Sequence, residues 1–133
     1  MRKITKIIIH CSATPEGRDY TVADIDRWHK QRGWKGIGYH YVIYRDGSVH
    51  AGRDVEQIGA HCTGQNANSI GICYIGGMTA DNKKPKDTRT PAQKAALRDL
   101  VERLIAKYPA ATVHGHREFA NKACPSFDVK TDL

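Results

Sequence analysis

Two histidines and one cysteine stand where the chain could hold a catalytic metal ion. His10 and His116 each lie at the end of a predicted strand, and Cys124 lies in a Lys-Ala-Cys-Pro turn. Two imidazoles and one thiolate fill three corners of a zinc tetrahedron and leave the fourth for water, as in catalytic rather than structural zinc sites. These residue types therefore favour a catalytic site that holds one Zn²⁺ ion.

The spacing of the candidate ligands leaves alternatives open. The chain has seven histidines, and a histidine in a soluble domain more often lies at the surface or makes a structural hydrogen bond. His114 would share a face with His116, so the pattern does not decide between them. Cys11 follows His10 directly, and in a continuous strand their side chains would point to opposite faces, so both cannot bind one ion.

Two further side chains could assist amide hydrolysis at such a site. Lys122 precedes Cys124 by two residues and would bring a fixed positive charge to a growing oxyanion, although a solvated lysine in a turn is the simpler interpretation. Tyr39 lies just before a predicted strand, and its hydroxyl could orient the attacking water or the scissile carbonyl. Packing in the core is the alternative for Tyr39.

Three other residues are weaker candidates for substrate contact. His61 and Asn68 occupy polar loops on either side of Gly64, where they either bind substrate or form turns. Trp34 could form a platform for a sugar ring. Trp28 could do the same, but its helical spacing favours the core.

The elements that must position these residues alternate between strands and helices. Residues 7–9 are a β-branched run typical of a buried strand, and Thr21 with Asp24 predicts a helix start that continues to Gly33. Residues 41–51 predict a hairpin in which Asp46-Gly47 forms a two-residue turn.

The second half of the chain repeats this alternation. Residues 70–75 alternate as a strand, and Thr90 caps a helix with one apolar face that ends before Pro109. Residues 112–114 predict a last short strand. The order of elements predicts an α/β fold in one domain, residues 1–133, with a mixed sheet of about five strands flanked by helices.

Composition and charge limit the possible partners and the possible location of the protein. Twenty-one Lys and Arg against fourteen Asp and Glu give a net charge of +7, which favours an anionic partner. The basic residues are scattered and no RNA-binding motif is present, so a nucleic acid is not the expected partner. The N-terminus lacks an export signal and no segment could span a membrane, which predicts a cytoplasmic product. The four cysteines match no zinc finger and no disulfide framework, and a monomer is expected.

Nine stretches, in the same order over nearly the whole chain, resemble the type 2 N-acetylmuramoyl-L-alanine amidases. The stretches are His10–Thr14, Trp28–Lys30, Gly33–Trp34, Gly38–Tyr41, Arg45–Gly47, Ala51–Asp54, Asn68–Gly71, Thr90–Gln93 and Lys122–Asp128. The resemblance implies a zinc-dependent enzyme that cleaves the amide between N-acetylmuramic acid and L-alanine in bacterial peptidoglycan. It implies zinc binding by His10, His116 and Cys124, with Tyr39 and Lys122 as catalytic helpers.

The resemblance also suggests alternative functions and settings for the protein. Peptidoglycan recognition proteins are similar in fold, and many of them lack the cysteine and only bind, so a non-catalytic wall-binding module or a partner-binding regulator is the alternative function. One phage enzyme of the family also binds its RNA polymerase, a role that nothing else in this sequence supports. Without an export signal, the enzyme would reach the wall after lysis or permeabilisation, as a phage or prophage endolysin does. A cytosolic enzyme that recycles wall fragments is the other option.

Overall fold

The computed structural model describes residues 2–133, and in that part of the chain strands alternate with helices. Met1, the first residue of the segment considered for an export signal, lies outside the described residues. The elements are β1 (Lys6–Cys11), β2 (Thr14–Pro15), α1 (Val22–Gln31), β3 (Tyr41–Ile43), β4 (Val49–Ala51), β5 (Ser69–Tyr74), β6 (Gly77–Met78), α2 (Pro91–Lys107), β7 (Thr112–Gly115) and α3 (Val129–Asp132), with short 3₁₀ helices at Asn66–Asn68 and His116–Glu118.

The five longer strands form one mixed sheet in the order β4-β3-β5-β1-β7. β3 and β4 pair antiparallel, whereas β3, β1 and β7 join their neighbours in parallel. β1 and β5 occupy the centre of the sheet and are buried almost throughout, as expected for parallel strands made mostly of apolar residues. The predicted α/β class and the mixed sheet of about five strands are confirmed.

Helices cover both faces of the sheet. Alternate residues of β1 and β5 turn towards α2, whose Leu97, Leu100 and Leu104 pack into the larger core cluster together with Val129 of α3. On the other face, Ile25 of α1 packs against a smaller cluster. Because side chains alternate along a strand, His10 points to the same face of the sheet as this smaller cluster.

Capping boxes begin both long helices, as the sequence predicts. The hydroxyl of Thr21 accepts the backbone N–H of Asp24, and the Asp24 carboxylate accepts the N–H of Thr21. Thr90 and Gln93 exchange the same pair of bonds at the start of α2. These reciprocal bonds satisfy amide groups that have no partner inside a helix, so local sequence sets both helix starts.

The predicted two-residue turn of the hairpin is wrong. The N–H of Tyr44 donates to the carbonyl of Ser48, which leaves Arg45, Asp46 and Gly47 as a three-residue loop. A two-residue type I′ turn needs positive φ at both central residues, but in this loop only Gly47 has it, at 86°.

Short elements also escaped prediction. β2 and β6 pair with each other over two residues in a separate small sheet, within segments whose sequence reads as loop. α3 has four residues, too few for a helical pattern to show in the sequence. No helix among residues 2–133 is long and apolar enough to cross a membrane.

Candidate metal centre

Strand pairing brings the two histidines of the predicted site together. β1 pairs with β7 in a register that sets Ile9 beside Gly115, so His10 and His116 follow at the same level of the sheet. Their ring centroids lie 4.5 Å apart. His10 is 1% exposed and His116 is 9% exposed. His10 and His116, more than a hundred residues apart in the sequence, are thus brought together by the pairing of two strands.

The loop that carries Cys124 is fixed against the end of β7. The hydroxyl of Tyr74, on the central strand β5, donates to the carbonyl of Pro125 at 2.6 Å. The backbone N–H of Arg117 donates to the carbonyl of Cys124 at 2.8 Å. A Cβ on Gly115 would lie only 3.0 Å from the Pro125 ring, so the loop approaches the strand closely because that residue is glycine.

His10, His116 and Cys124 converge on one point. Each offers one ligand atom, and these atoms all lie within 4.8 Å of one another. Sγ of Cys124 is 3.8 Å from Nδ1 of His10. Ligand atoms of a tetrahedral zinc site lie about 3.3–3.6 Å apart, given bond lengths of about 2.0–2.3 Å. The donor set therefore fits a zinc ion after shifts of about an ångström or less.

A backbone hydrogen bond further favours Cys124 as a ligand. The N–H of Cys11 donates to Sγ of Cys124 at 3.3 Å, and such a bond stabilises negative charge on sulfur. The hydrogen bond with the Cys11 thiol and burial raise the pKa of Cys124 above its ordinary value. Binding at this thiol therefore requires a cation strong enough to displace its proton, as zinc is.

His114 is directed away from the three ligand candidates. Its Nδ1 lies 2.9 Å from a carboxylate oxygen of Glu118, and its Nε2 lies 2.6 Å from the hydroxyl of Thr112. Both ring nitrogens thus have partners outside the site. Of the two histidines that the sequence pattern left open, the structure brings His116 to His10.

Burial keeps the clustered imidazoles neutral. The pKa of His10 lies well below its ordinary value because of desolvation, reinforced by the neighbouring His61 and His116. Desolvation, followed by the positive charge of Lys122, also lowers the pKa of His116. Neutral imidazoles present the free lone pair that a metal ion needs.

A cavity of about 330 Å³ opens beside the histidines. Lys122 and His116 share its wall, so the lysine charge faces the space next to a candidate metal ligand. Trp34, 38% exposed, also lines it. The remaining lining residues are Arg32, Ala60, His61, Cys62, Thr63 and Asn66. A larger hollow of about 770 Å³, lined among others by Arg53, contains none of the predicted site residues.

Tyr39 packs beside His10 and does not line the cavity. Its ring centroid lies 5.0 Å from that of His10 and 5.4 Å from that of His29. Burial holds the pKa of the Tyr39 phenol well above its ordinary value. The hydroxyl therefore keeps its proton and can act as a hydrogen-bond donor, but not as a base.

Asn68 and His61, two of the weaker candidates for substrate contact, lie in different places relative to the cavity. Asn68 ends the 3₁₀ helix Asn66–Asn68, just before β5; its side-chain amide donates to the carbonyl of Lys3, and it does not line the cavity. His61 borders the cavity but is only 8% exposed. Burial, and then the neighbouring His40, lower the pKa of His61 to about 3, so its imidazole is neutral.

Sequence analysis missed two residues that shape the cavity. Arg32 is the C-cap residue that follows α1, and its guanidinium lies 5.6 Å from the centre of the Trp34 ring. Asn66 accepts the backbone N–H groups of His61 and Cys62 through its side-chain oxygen, which folds the loop around the cavity. An arginine at a helix end and an asparagine in a loop carry no local signal of function. Only their position beside the histidines identifies them.

The chain is similar in sequence and in fold to known proteins. The family model described as N-acetylmuramoyl-L-alanine amidase matches residues 1–127. The endolysin of Escherichia phage T7 is 50% identical over 125 residues, 93% of this chain and 82% of that protein. The N-acetylmuramoyl-L-alanine amidase LysC from Clostridium intestinale URNW superposes with a TM-score of 0.82 at 31% identity, covering 96% of this chain and 79% of that one. A mutant of Drosophila PGRP-LB in complex with tracheal cytotoxin superposes with a TM-score of 0.77 at 29% identity, covering 94% and 76%.

Proposed function

Because the chain belongs to the N-acetylmuramoyl-L-alanine amidase family, we propose that its activity depends on one zinc ion held by His10, His116 and Cys124. The chain is an endolysin-like amidase, an enzyme that hydrolyses the amide between N-acetylmuramic acid and L-alanine in peptidoglycan. The observation that carries the zinc proposal is the convergence of the three ligand atoms within 4.8 Å of one another. Peptidoglycan or its fragments would enter the cavity that His116 lines.

The protein's own residues would divide the work of amide hydrolysis. When bound, zinc supplies a Lewis acid that lowers the pKa of water from about 15.7 towards about 7. The Lys122 ammonium, in the wall beside His116, would face the oxygen of the scissile carbonyl as negative charge grows there. The protonated Tyr39 hydroxyl would donate a hydrogen bond that holds the carbonyl or the attacking water.

A wall-digestion assay tests the proposal directly. Purified protein incubated with peptidoglycan should release alanine amino groups without new reducing sugar ends. A zinc chelator should stop the release, and added Zn²⁺ should restore it, because the proposed reaction needs the ion to lower the pKa of the attacking water. Unchanged release in protein shown by metal analysis to contain no zinc would contradict the zinc proposal.

The same assay distinguishes the alternative function. The alternative is a module that binds peptidoglycan without hydrolysing it, which the structural likeness to a PGRP-LB mutant in complex with tracheal cytotoxin suggests. A non-catalytic module would sediment with the wall and release nothing. The presence of Cys124 within the ligand group supports the enzyme over the binder.

Replacing Tyr39 with phenylalanine should distinguish the role of its hydroxyl from the role of its ring. The ring contacts with His10 and His29 would remain, so zinc content should be unchanged. Turnover should fall by about 10²- to 10³-fold, the usual effect of removing one donor to a developing oxyanion. Tyr41→Phe is the matched control, since Tyr41 packs against the larger core cluster and should retain full turnover. Wild-type turnover in Tyr39→Phe would exclude the hydroxyl from the reaction.

The biological setting follows from the same assignment. We propose that the enzyme acts on the wall after lysis or permeabilisation of the cell and that residues 1–133 act as one catalytic domain. A monomeric state and a polymerase partner stay predictions from the sequence.

A further inference from the structure

His61 holds a position behind His10 that its weak prediction as a substrate contact does not explain. Nδ1 of His61 lies 2.8 Å from Nε2 of His10, and the two rings meet edge to face at 88°. On its other side, Nε2 of His61 lies 3.2 Å from the hydroxyl of Ser69, which is fully buried. Both ring nitrogens of His61 are therefore occupied within the protein.

Two glycines make room for this ring. A Cβ on Gly71 would lie 2.7 Å from Cγ of His61 and 2.8 Å from its Nδ1. A Cβ on Gly59 would lie 2.8 Å from Cδ2 of His61, and equally close to the carbonyl of Gly38. Neither Gly59 nor Gly71 has a positive φ, so the backbone does not demand glycine at either position. The absent side chains instead leave a slot that fits a flat imidazole.

The hydrogen positions along this chain of contacts follow from the ligand geometry. Nδ1 of His10 faces Sγ of Cys124, and an imidazole binds a metal through the nitrogen that carries no hydrogen. Nε2 of His10 must then carry the hydrogen and donate it to Nδ1 of His61. A neutral His61 carries its own hydrogen on Nε2, which points to the hydroxyl of Ser69. His10, His61 and Ser69 thus form a relay, a chain of two hydrogen bonds in which each donor faces an acceptor.

We infer that His61 is a positioning residue that fixes the tautomer and ring orientation of His10, so that Nδ1 of His10 is presented to the metal. The inference rests on the proposed zinc site. Outer hydrogen bonds of this kind typically change metal affinity by about 10- to 100-fold. Removing the acceptor would let His10 adopt the other tautomer, whose Nδ1–H cannot bind zinc.

Paired substitutions distinguish the hydrogen bond from the packing of the ring. His61→Asn keeps an oxygen acceptor close to the position of Nδ1 but loses the ring, whereas His61→Phe keeps a ring in the slot but loses the acceptor. We expect His61→Asn to bind Zn²⁺ within about threefold of wild type in a chelator competition. His61→Phe and His61→Ala should bind about 10- to 100-fold more weakly. His50→Ala is the control, since His50 stacks on Tyr44 outside the cavity wall.

The tautomer of His10 gives a second measurement that needs neither zinc nor activity. In ¹⁵N-labelled, metal-free protein, histidine NMR should show hydrogen on Nε2 of His10 in wild type and His61→Asn, and a shift towards Nδ1–H in His61→Ala. Wild-type affinity in His61→Phe, affinity in His61→Asn as weak as in His61→Ala, or an unchanged His10 tautomer in His61→Ala would each overturn the inference. A wild-type chain that binds no Zn²⁺ would overturn the metal site itself, an outcome that the metal-free tautomer spectra distinguish from failure of the relay.

Discussion

Replacing Cys124 with serine should abolish zinc binding and amide hydrolysis together. The thiolate is one of only three protein ligands in the proposed site, and a serine hydroxyl does not deprotonate to take its place near neutral pH. Zinc measured by elemental analysis should fall from one ion per chain to near zero, and release of alanine amino groups from peptidoglycan should fall to background. The fold should persist, because Cys124 is only partly buried and its loop is anchored through backbone carbonyls.

Cys62 provides the matched control for that experiment. It is 2% exposed and lines the same cavity, but it is not one of the three residues whose atoms could hold a metal ion. Cys62→Ser should keep one zinc ion per chain. A Cys124→Ser protein that retained stoichiometric zinc and wild-type hydrolysis would remove the thiolate from the mechanism.

The Lys122→Ala enzyme should keep its zinc and lose most of its turnover. The lysine is exposed and lines the cavity beside His116, where its charge would stabilise the oxyanion without binding the ion. Loss of one such contact costs about 10²- to 10³-fold in turnover, or about 2.7–4 kcal/mol of transition-state stabilisation. Steady-state hydrolysis of a soluble muropeptide, measured beside zinc content, would report both quantities.

A second lysine tests whether the effect is specific to the site. Lys86 is exposed and forms an ion pair with Glu16, away from the cavity. Lys86→Ala removes the same charge from the chain and should retain full turnover. If both variants lost turnover equally, the effect would come from net charge and attraction to the wall, and Lys122 would have no direct part in the reaction.

Local sequence was sufficient for the main elements. Apolar periodicity and the reciprocal caps at Thr21 and Thr90 predicted both long helices, because these signals record burial and hydrogen bonding within a few residues. The Asp46-Gly47 turn was predicted wrongly because the same dipeptide also suits a three-residue loop. The two-residue strands β2 and β6 could not be predicted, since their pairing depends on a partner far along the chain.

The residues of the site, like the elements of the fold, could be predicted from sequence only in part. Residue types alone nominated His10, His116 and Cys124 as zinc ligands, and the family resemblance selected His116 over His114. Their convergence depends on the register of β1 against β7 and on the return of the Cys124 loop to the sheet. Pairing between distant segments is set by packing of the whole domain, which no single stretch of sequence contains.

The sequence by itself thus determined the α/β class and the family and nominated the candidate ligands, because each depends on residue identity or on short-range periodicity. Only the tertiary structure decided that His61 lies behind His10, that Asn68 lies away from the cavity and that His114 turns to Glu118. The physical reason is that a side chain's partners depend on which faces and strands meet in space. That information arises only when the sheet is assembled.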